Sequence, residues 1–313
     1  MIRWVARAAF SIALGALACV PAHAADAPII FKEGTSGDAV CTRCHDANEK
    51  KPILSIHRTR HGVAGQPGCQ ACHGSSRAHV RHEGEEPRAS PRPPPDFVFS
   101  GAAKSSIDAQ SRTCLNCHAS GKRIHWQGSA HQGNDVTCVS CHAIHQAQDK
   151  VLAKETQREV CFACHKNQRA QVHYLSSHPI AAGRIACGDC HNVHGSTGPK
   201  LLVKNTINET CHFCHAEKRG PFLWEHPPAS DDCSNCHVAH GSNIAPLLKA
   251  RPPWLCQGCH GGSIHTSPAF SGRGLPSAAG GTAPSQQMLL RACLNCHSAI
   301  HGSNHPSGAR FTR

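Results

Sequence analysis

Twenty of the cysteines in this chain fall into ten copies of one pentapeptide, Cys-x-x-Cys-His. The first five copies supply Cys41, Cys44 and His45; Cys69, Cys72 and His73; Cys114, Cys117 and His118; Cys138, Cys141 and His142; and Cys161, Cys164 and His165. The second five supply Cys187, Cys190 and His191; Cys211, Cys214 and His215; Cys233, Cys236 and His237; Cys256, Cys259 and His260; and Cys293, Cys296 and His297. Only Cys19 stands outside them. One such motif is a moderate signal, but ten leave little room for chance. The fold must present two thiols and an imidazole together at ten places. It must do so with one Tyr, nine Phe and four Trp, too few aromatics to fill an ordinary apolar core. Disulfides, metals or cofactors therefore hold the chain together.

The spacing selects among these. Two thiols separated by two residues each reach one vinyl group of the same porphyrin, forming two thioethers, and the adjacent histidine then lies under the iron as proximal ligand. Zinc sites use paired cysteines too, but do not require a histidine after every second one. Disulfides leave the histidine equally unexplained. The cofactor expected is haem c, ten copies, covalently bound.

The N-terminus supplies an address. Arg3 and Arg7 form a charged region, Ala8 to Val20 an apolar run, and Ala22-His23-Ala24 a small-x-small cleavage site. Residues 1–24 read as a secretory signal peptide, and residues 25–313 as the decahaem domain. The apolar run is too short for a membrane span. Lipidation at Cys19 is the weaker alternative, because Ala16 stands where a lipobox has Leu.

The sixth iron ligand is also constrained. Met288 is the only methionine beyond Met1, so methionine ligation is closed to at least nine haems. Histidine is abundant, and an internal repeat orders it. The motifs fall into five pairs with a period of roughly 45 to 50 residues through the middle of the chain. His61, His131, His178 and His226 precede the second motif of a pair by seven to nine residues, and His79, His145, His194, His240 and His301 follow one closely. The fifth pair lacks the upstream histidine at that distance, and His265 is the nearest substitute. These ten are the distal candidates. His57, His125, His173 and His305 are rivals, and His82 and His212 fit the pattern least.

The expected fold class is mostly irregular with short α-helices, an elongated multihaem cytochrome c of five repeated dihaem units with little or no β-sheet. Thr156-x-x-Glu159 and Thr206-x-x-Glu209 read as capping boxes before Cys161 and Cys211. Pro252 and Pro253 suit the first turn of a helix before Cys256. Residues 74–113, with the Pro-rich stretch Pro87 to Pro95, and residues 261–292 read as long loops. Two pentahaem halves are expected, with a boundary near 165–186.

The formal charge of +12 suggests a nucleic-acid binder at first sight. Haem changes the sum: twenty propionates bring roughly −20 and ten ferric cores roughly +10, so the basic residues balance propionates. No nucleic-acid partner is expected. At about 29 residues per motif the haems must lie close together. Close porphyrins exchange electrons by tunnelling. A compact chain of this length has a radius of gyration of about 19 Å, and a membrane is about 40–45 Å thick.

Several segments resemble a family in detail. CGDCHNVHGS from Cys187, Leu201-Leu202, GPFLWEHPP from Gly220, CSNCHVAHGS from Cys233 and the ending CLNCHSAIHGSNHPSG from Cys293 are similar to the decahaem cytochromes of the MtrA/DmsE type, including the Pio and Mto relatives. The CHGSSRAHV segment departs from the tidy spacing at His79. The pentahaem carriers of the NrfB type share the repeat, so the length and the C-terminal ending are the more specific features. The resemblance covers nearly the whole mature chain. It implies an electron-transfer protein of the periplasm, associated with the outer membrane and not an enzyme. Such a protein is inserted in a β-barrel porin and has periplasmic or inner-membrane cytochromes and an extracellular cytochrome as redox partners. Its task is extracellular metal reduction or Fe(II) oxidation. A soluble periplasmic shuttle to a terminal reductase is the alternative. A multihaem reductase is less favoured, because no motif carries Lys in place of its His.

Overall fold

The structure is a computed structural model that describes residues 37–49, 51–63, 68–82, 91–260 and 293–312. The signal peptide, Pro87, His265, Met288 and the loop 261–292 lie outside the described residues.

Each motif is a single helical turn. The histidine N–H donates to the carbonyl of the first cysteine, as in His142 to Cys138 at 2.9 Å, His191 to Cys187 at 2.9 Å and His260 to Cys256 at 2.9 Å. A turn of this kind puts positions i, i+3 and i+4 on one face. Both thiols and the imidazole of a motif therefore point the same way for a purely local reason. Longer helices lead into some of the motifs, Ile107–His118, Lys154–Cys161 and Ile207–His212, and the single turn Trp254–Gln257 opens the ninth.

Their starts partly follow the expected signals. Thr206 caps Ile207–His212 by accepting the N–H of Glu209 at 3.0 Å. Thr156 does not cap. The helix begins earlier, at Lys154 after Ala153, and the Thr156 hydroxyl donates back to the carbonyl of Lys150 at 2.7 Å. The proline pair sits just ahead of its helix, with Pro253 at the N-cap.

Among the described residues there is no sheet, only isolated bridges. Two of these repeat with the chain period. Ser176 exchanges both backbone bonds with Ser242, at 2.9 and 2.8 Å, and Trp224 does the same with Ser303, at 2.9 and 2.9 Å. In each case a segment two residues before one outer histidine meets a turn two residues after another.

That close approach explains the glycine in the triplets Val193-His194-Gly195 and Ala239-His240-Gly241. Gly195 has φ +111, and a Cβ there would overlap the backbone carbonyl of His125. Gly241 has φ +156, and its Cβ would overlap the carbonyl of Gln171. Only glycine lets the neighbouring chain come so near.

The polypeptide does not build an ordinary core. Val40, Ile56, Trp126, Val172, Ile180, Ala186 and Leu248 are buried, but no described side chain is completely enclosed. Leu175 is 84% exposed and Phe213 75%. Apolar surface left in this state needs a large apolar partner.

The glycine argument makes a prediction. Gly195→Ala should destabilise the folded holoprotein by about 1–3 kcal/mol or more. Gly133→Ala, where a Cβ would meet open space, should be near neutral. Thermal loss of visible circular dichroism from the haems measures both.

Candidate functional site

The motif histidines do not stand alone. His45 faces His79 with ring centroids 6.2 Å apart, His73 faces His145 at 6.0 Å and His118 faces His61 at 5.8 Å. His142 faces His194 at 6.1 Å, His165 faces His131 at 6.1 Å and His191 faces His240 at 6.2 Å. His215 faces His178 at 6.3 Å, His237 faces His301 at 6.1 Å and His260 faces His226 at 6.1 Å. Nine of the ten outer histidines singled out by the repeat thus meet nine different motif histidines. His265 lies outside the described residues. Among the described residues the rivals His57, His125, His173 and His305, and His212, which fits the pattern least, make no ring contact with a motif histidine.

The gap is nearly constant, and a metal ion bonded to both rings at about 2 Å each would set them this far apart. Among the described residues no three His, Cys, Asp or Glu side chains converge as a metal cluster. The histidines come in twos, a number that would suit the two open positions of an iron held by a porphyrin. The residues present therefore fit haem.

The pairing follows a rule the sequence hid. Motifs 2, 4, 6 and 8 take the histidine after the motif two places on: His145, His194, His240 and His301. Motifs 3, 5, 7 and 9 take the histidine before the preceding motif: His61, His131, His178 and His226. Every such pair joins separate stretches of chain.

Hydrogen bonds on the far side of the rings set the tautomer. His131 Nδ1 donates to the carbonyl of Val193 at 2.9 Å, and His178 Nδ1 to that of Ala239 at 2.7 Å. His226 is bonded in the same way to Ile300. Each acceptor immediately precedes another outer histidine, so neighbouring outer histidines are tied together. His79 donates to Pro93 at 2.8 Å. A carbonyl can only accept, so the proton lies on Nδ1 and Nε2 keeps its lone pair. Burial pushes His145, His194, His240 and His301 below the ordinary histidine range. These rings are therefore neutral at pH 7, as metal ligation requires.

The thiols record which motifs are neighbours. The first cysteines hydrogen-bond within each pair: Cys41 with Cys69, Cys114 with Cys138, Cys161 with Cys187, Cys211 with Cys233, and Cys256 with Cys293. In the haem-free chain this contact pulls the Cys41 thiol down to about 7 and pushes its Cys69 partner up. Between pairs the second cysteines lie within electrostatic reach: Cys72 with Cys117, Cys141 with Cys164, Cys190 with Cys214, and Cys236 with Cys259. The motifs therefore adjoin one another in chain order, by two contacts that alternate.

Polar side chains that the sequence reading missed hold the pairs. Asp38 Oδ1 accepts the N–H of Cys69 at 2.6 Å, Gln157 Oε1 that of Gly188 at 2.7 Å, and Asn208 Oδ1 that of Cys233 at 2.7 Å. Each sits three or four residues before the first cysteine of a pair and grips the start of the second motif. A polar residue three or four positions ahead of the first cysteine was the available signal.

Comparison with known proteins agrees. Residues 178–220 and 226–264 match the doubled CXXCH motif family, and residues 69–156 match the cytochrome c-type protein NrfB-like family. Both doubled-motif matches open on an outer histidine, His178 or His226, and contain the motif histidine it faces, His215 or His260. The motifs, ring pairs and matches define a multihaem c-type cytochrome, which binds haem c through its motif cysteines. The multiheme cytochrome MtrA of Shewanella baltica (strain OS185) is 42% identical over 295 residues, covering 90% of this chain and 84% of that one. The chain belongs to the MtrA family of multihaem cytochromes, and its function is electron transfer.

Asn208 tests the clamp. It is buried and also donates to the carbonyls of Ala229 and Ser230 at 3.1 and 2.9 Å. Asn208→Ala leaves three backbone groups unpaired and should cost about 1–3 kcal/mol. Denaturant unfolding of the holoprotein followed in the visible region measures it.

Proposed function

We propose that the ten motif histidines and the ten outer histidines are the axial ligands of ten low-spin haems. The motif cysteines supply the thioethers, and electrons pass along the motifs in chain order. The single observation that carries this is the series of nine ring pairs, each 5.8 to 6.3 Å apart. Haem supplies the one-electron ferric–ferrous couple. The chain's own residues do the rest: the thioethers fix each porphyrin, the paired imidazoles cap both faces and exclude substrate from the iron, and the Nδ1 hydrogen bonds set ring orientation. We therefore read the protein as a carrier and not as an enzyme, with two pentahaem halves meeting near residues 165–186.

We further propose a conduit role. The chain, exported after loss of residues 1–24, resides in the periplasm in association with the outer membrane. There it lies inside a β-barrel porin and passes electrons between periplasmic cytochromes and an extracellular cytochrome. The supports are the family, the continuous order of motifs and a size comparable with membrane thickness. No described helix is long and apolar enough to cross a membrane; in this reading the barrel shields the chain from lipid. The match of residues 69–156 to the NrfB-like family favours a second reading, a soluble shuttle to a terminal reductase.

Fractionation of the native host with mild-detergent pull-down separates the two. The conduit predicts recovery in the outer membrane with a β-barrel partner and protection from added protease. Release with the soluble periplasm, with no barrel, would leave the shuttle. The ligand assignment has its own test. His194→Ala should turn one haem in ten high-spin in the ferric spectrum, whereas His173→Ala should change nothing.

A further inference from the structure

Second motifs of a pair share one arrangement with a single exception. His73 donates its Nδ1 proton to the carbonyl of Phe97 at 2.8 Å, His191 to that of Lys200 at 2.9 Å, His237 to that of Pro246 at 2.9 Å and His297 to that of Arg310 at 2.5 Å. The fourth motif departs. His142 donates to Asp149 Oδ2 at 2.6 Å, and Asp149 Oδ1 faces the N–H groups of Ala143 and Val151 at 3.4 and 3.3 Å.

The sequence explains the departure. After the sixth and eighth motifs the loop returns at Leu202 and Leu248, which bridge back to His191 and His237. The carbonyl two residues earlier, Lys200 or Pro246, then caps the ring. After the fourth motif the loop to Leu152 is one residue shorter, and Gln146 stands where Gly195 and Gly241 stand in the others. The corresponding carbonyl, that of Lys150, is taken by the hydroxyl of Thr156. The Asp149 side chain fills its place.

Two other motif rings meet carboxylates, but in wetter surroundings. His45 and Glu49, 2.5 Å apart, are 35% and 33% exposed. His215 and Glu217 are 3.7 Å apart and more than half exposed. Asp149 is 13% exposed. A charged acceptor makes a stronger hydrogen bond than a carbonyl does. It draws the Nδ1 proton, makes Nε2 a better donor and favours ferric over ferrous iron. Low solvent access strengthens the effect.

We propose that Asp149 is a potential-setting positioning residue that makes the fourth haem the hardest to reduce of the five held by second motifs. One electron enters and one leaves this site, while the shared proton stays between His142 and Asp149. Among the second-motif haems, electrons then meet the lowest potential at the fourth. The proposal rests on His142 being an axial ligand.

The test is a mediated optical redox titration of the full holoprotein as wild type, Asp149→Asn and Asp149→Glu, with the ferric spin state recorded for each. Asp149→Asn should move one tenth of the absorbance change to higher potential, by about tenfold in the ferric-to-ferrous ratio, or about 59 mV for one electron. Asp149→Glu, which keeps the carboxylate, should restore the wild-type curve. Superimposable curves for wild type and Asp149→Asn would overturn the proposal, and so would a shift spread over many haems or one that Glu does not reverse. A high-spin tenth in the wild type would instead overturn the ligand assignment beneath it. If Asp149→Asn fails to accumulate with ten haems, Asp149→Ser removes the same charge and is judged by the same outcomes.

Discussion

Two imidazoles facing each other across about 6 Å are the contact on which this molecule turns. Among the described residues the polypeptide on its own offers short helices, isolated bridges and a thin set of buried apolar residues. None of these would order a chain this long against its conformational entropy. A ring pair joins stretches far apart in sequence, such as His142 with His194 or His237 with His301. On the proposed ligation, metal bonds close those loops, and binding free energy becomes folding free energy. Porphyrins held there would also cover apolar side chains that the polypeptide leaves open. Cofactor and core are then one thing.

The interleaving has a functional consequence. The second, fourth, sixth and eighth motif histidines face a histidine from farther along the chain, and the third, fifth, seventh and ninth face one from behind. No pair of motifs is complete by itself. The carbonyls of Val193 and Ala239 link successive outer histidines through their Nδ1 protons. The cysteines of successive motifs lie side by side, so the motifs are adjacent in chain order. On the proposed ligation, a row of redox sites held in this way would stay within tunnelling distance along its length, which a carrier needs and which separate dihaem beads on linkers would not guarantee.

Much of this was legible in the sequence, and the reason is local. Cys-x-x-Cys-His closes one helical turn by itself, so ten haem positions follow from spelling alone. The outer histidines were legible because they recur at fixed offsets, and His194 and His240 sit in near-identical surroundings. What stayed hidden was long-range. Nothing in the spacing says that His131 meets His165 and not His142, because that choice belongs to the packing of repeats. Asn208, Gln157 and Asp38 were passed over as ordinary polar residues, although each stands three or four positions ahead of a first cysteine. Thr156 misled because its spacing to Glu159 imitates a capping box, while the true start of that helix is set upstream, at Ala153. Asp149 was invisible because a one-residue deletion in a loop has no chemistry until the loop is folded against a ring.

The most direct measurement is to locate the irons in crystals of the holoprotein by anomalous scattering at the iron edge. The account predicts an iron midway between the two rings of each of the nine pairs, with nearest irons belonging to consecutive motifs from the first to the ninth. An iron bound by one imidazole only, a pair spanned by no iron, or an order in which consecutive motifs are not neighbours would contradict it.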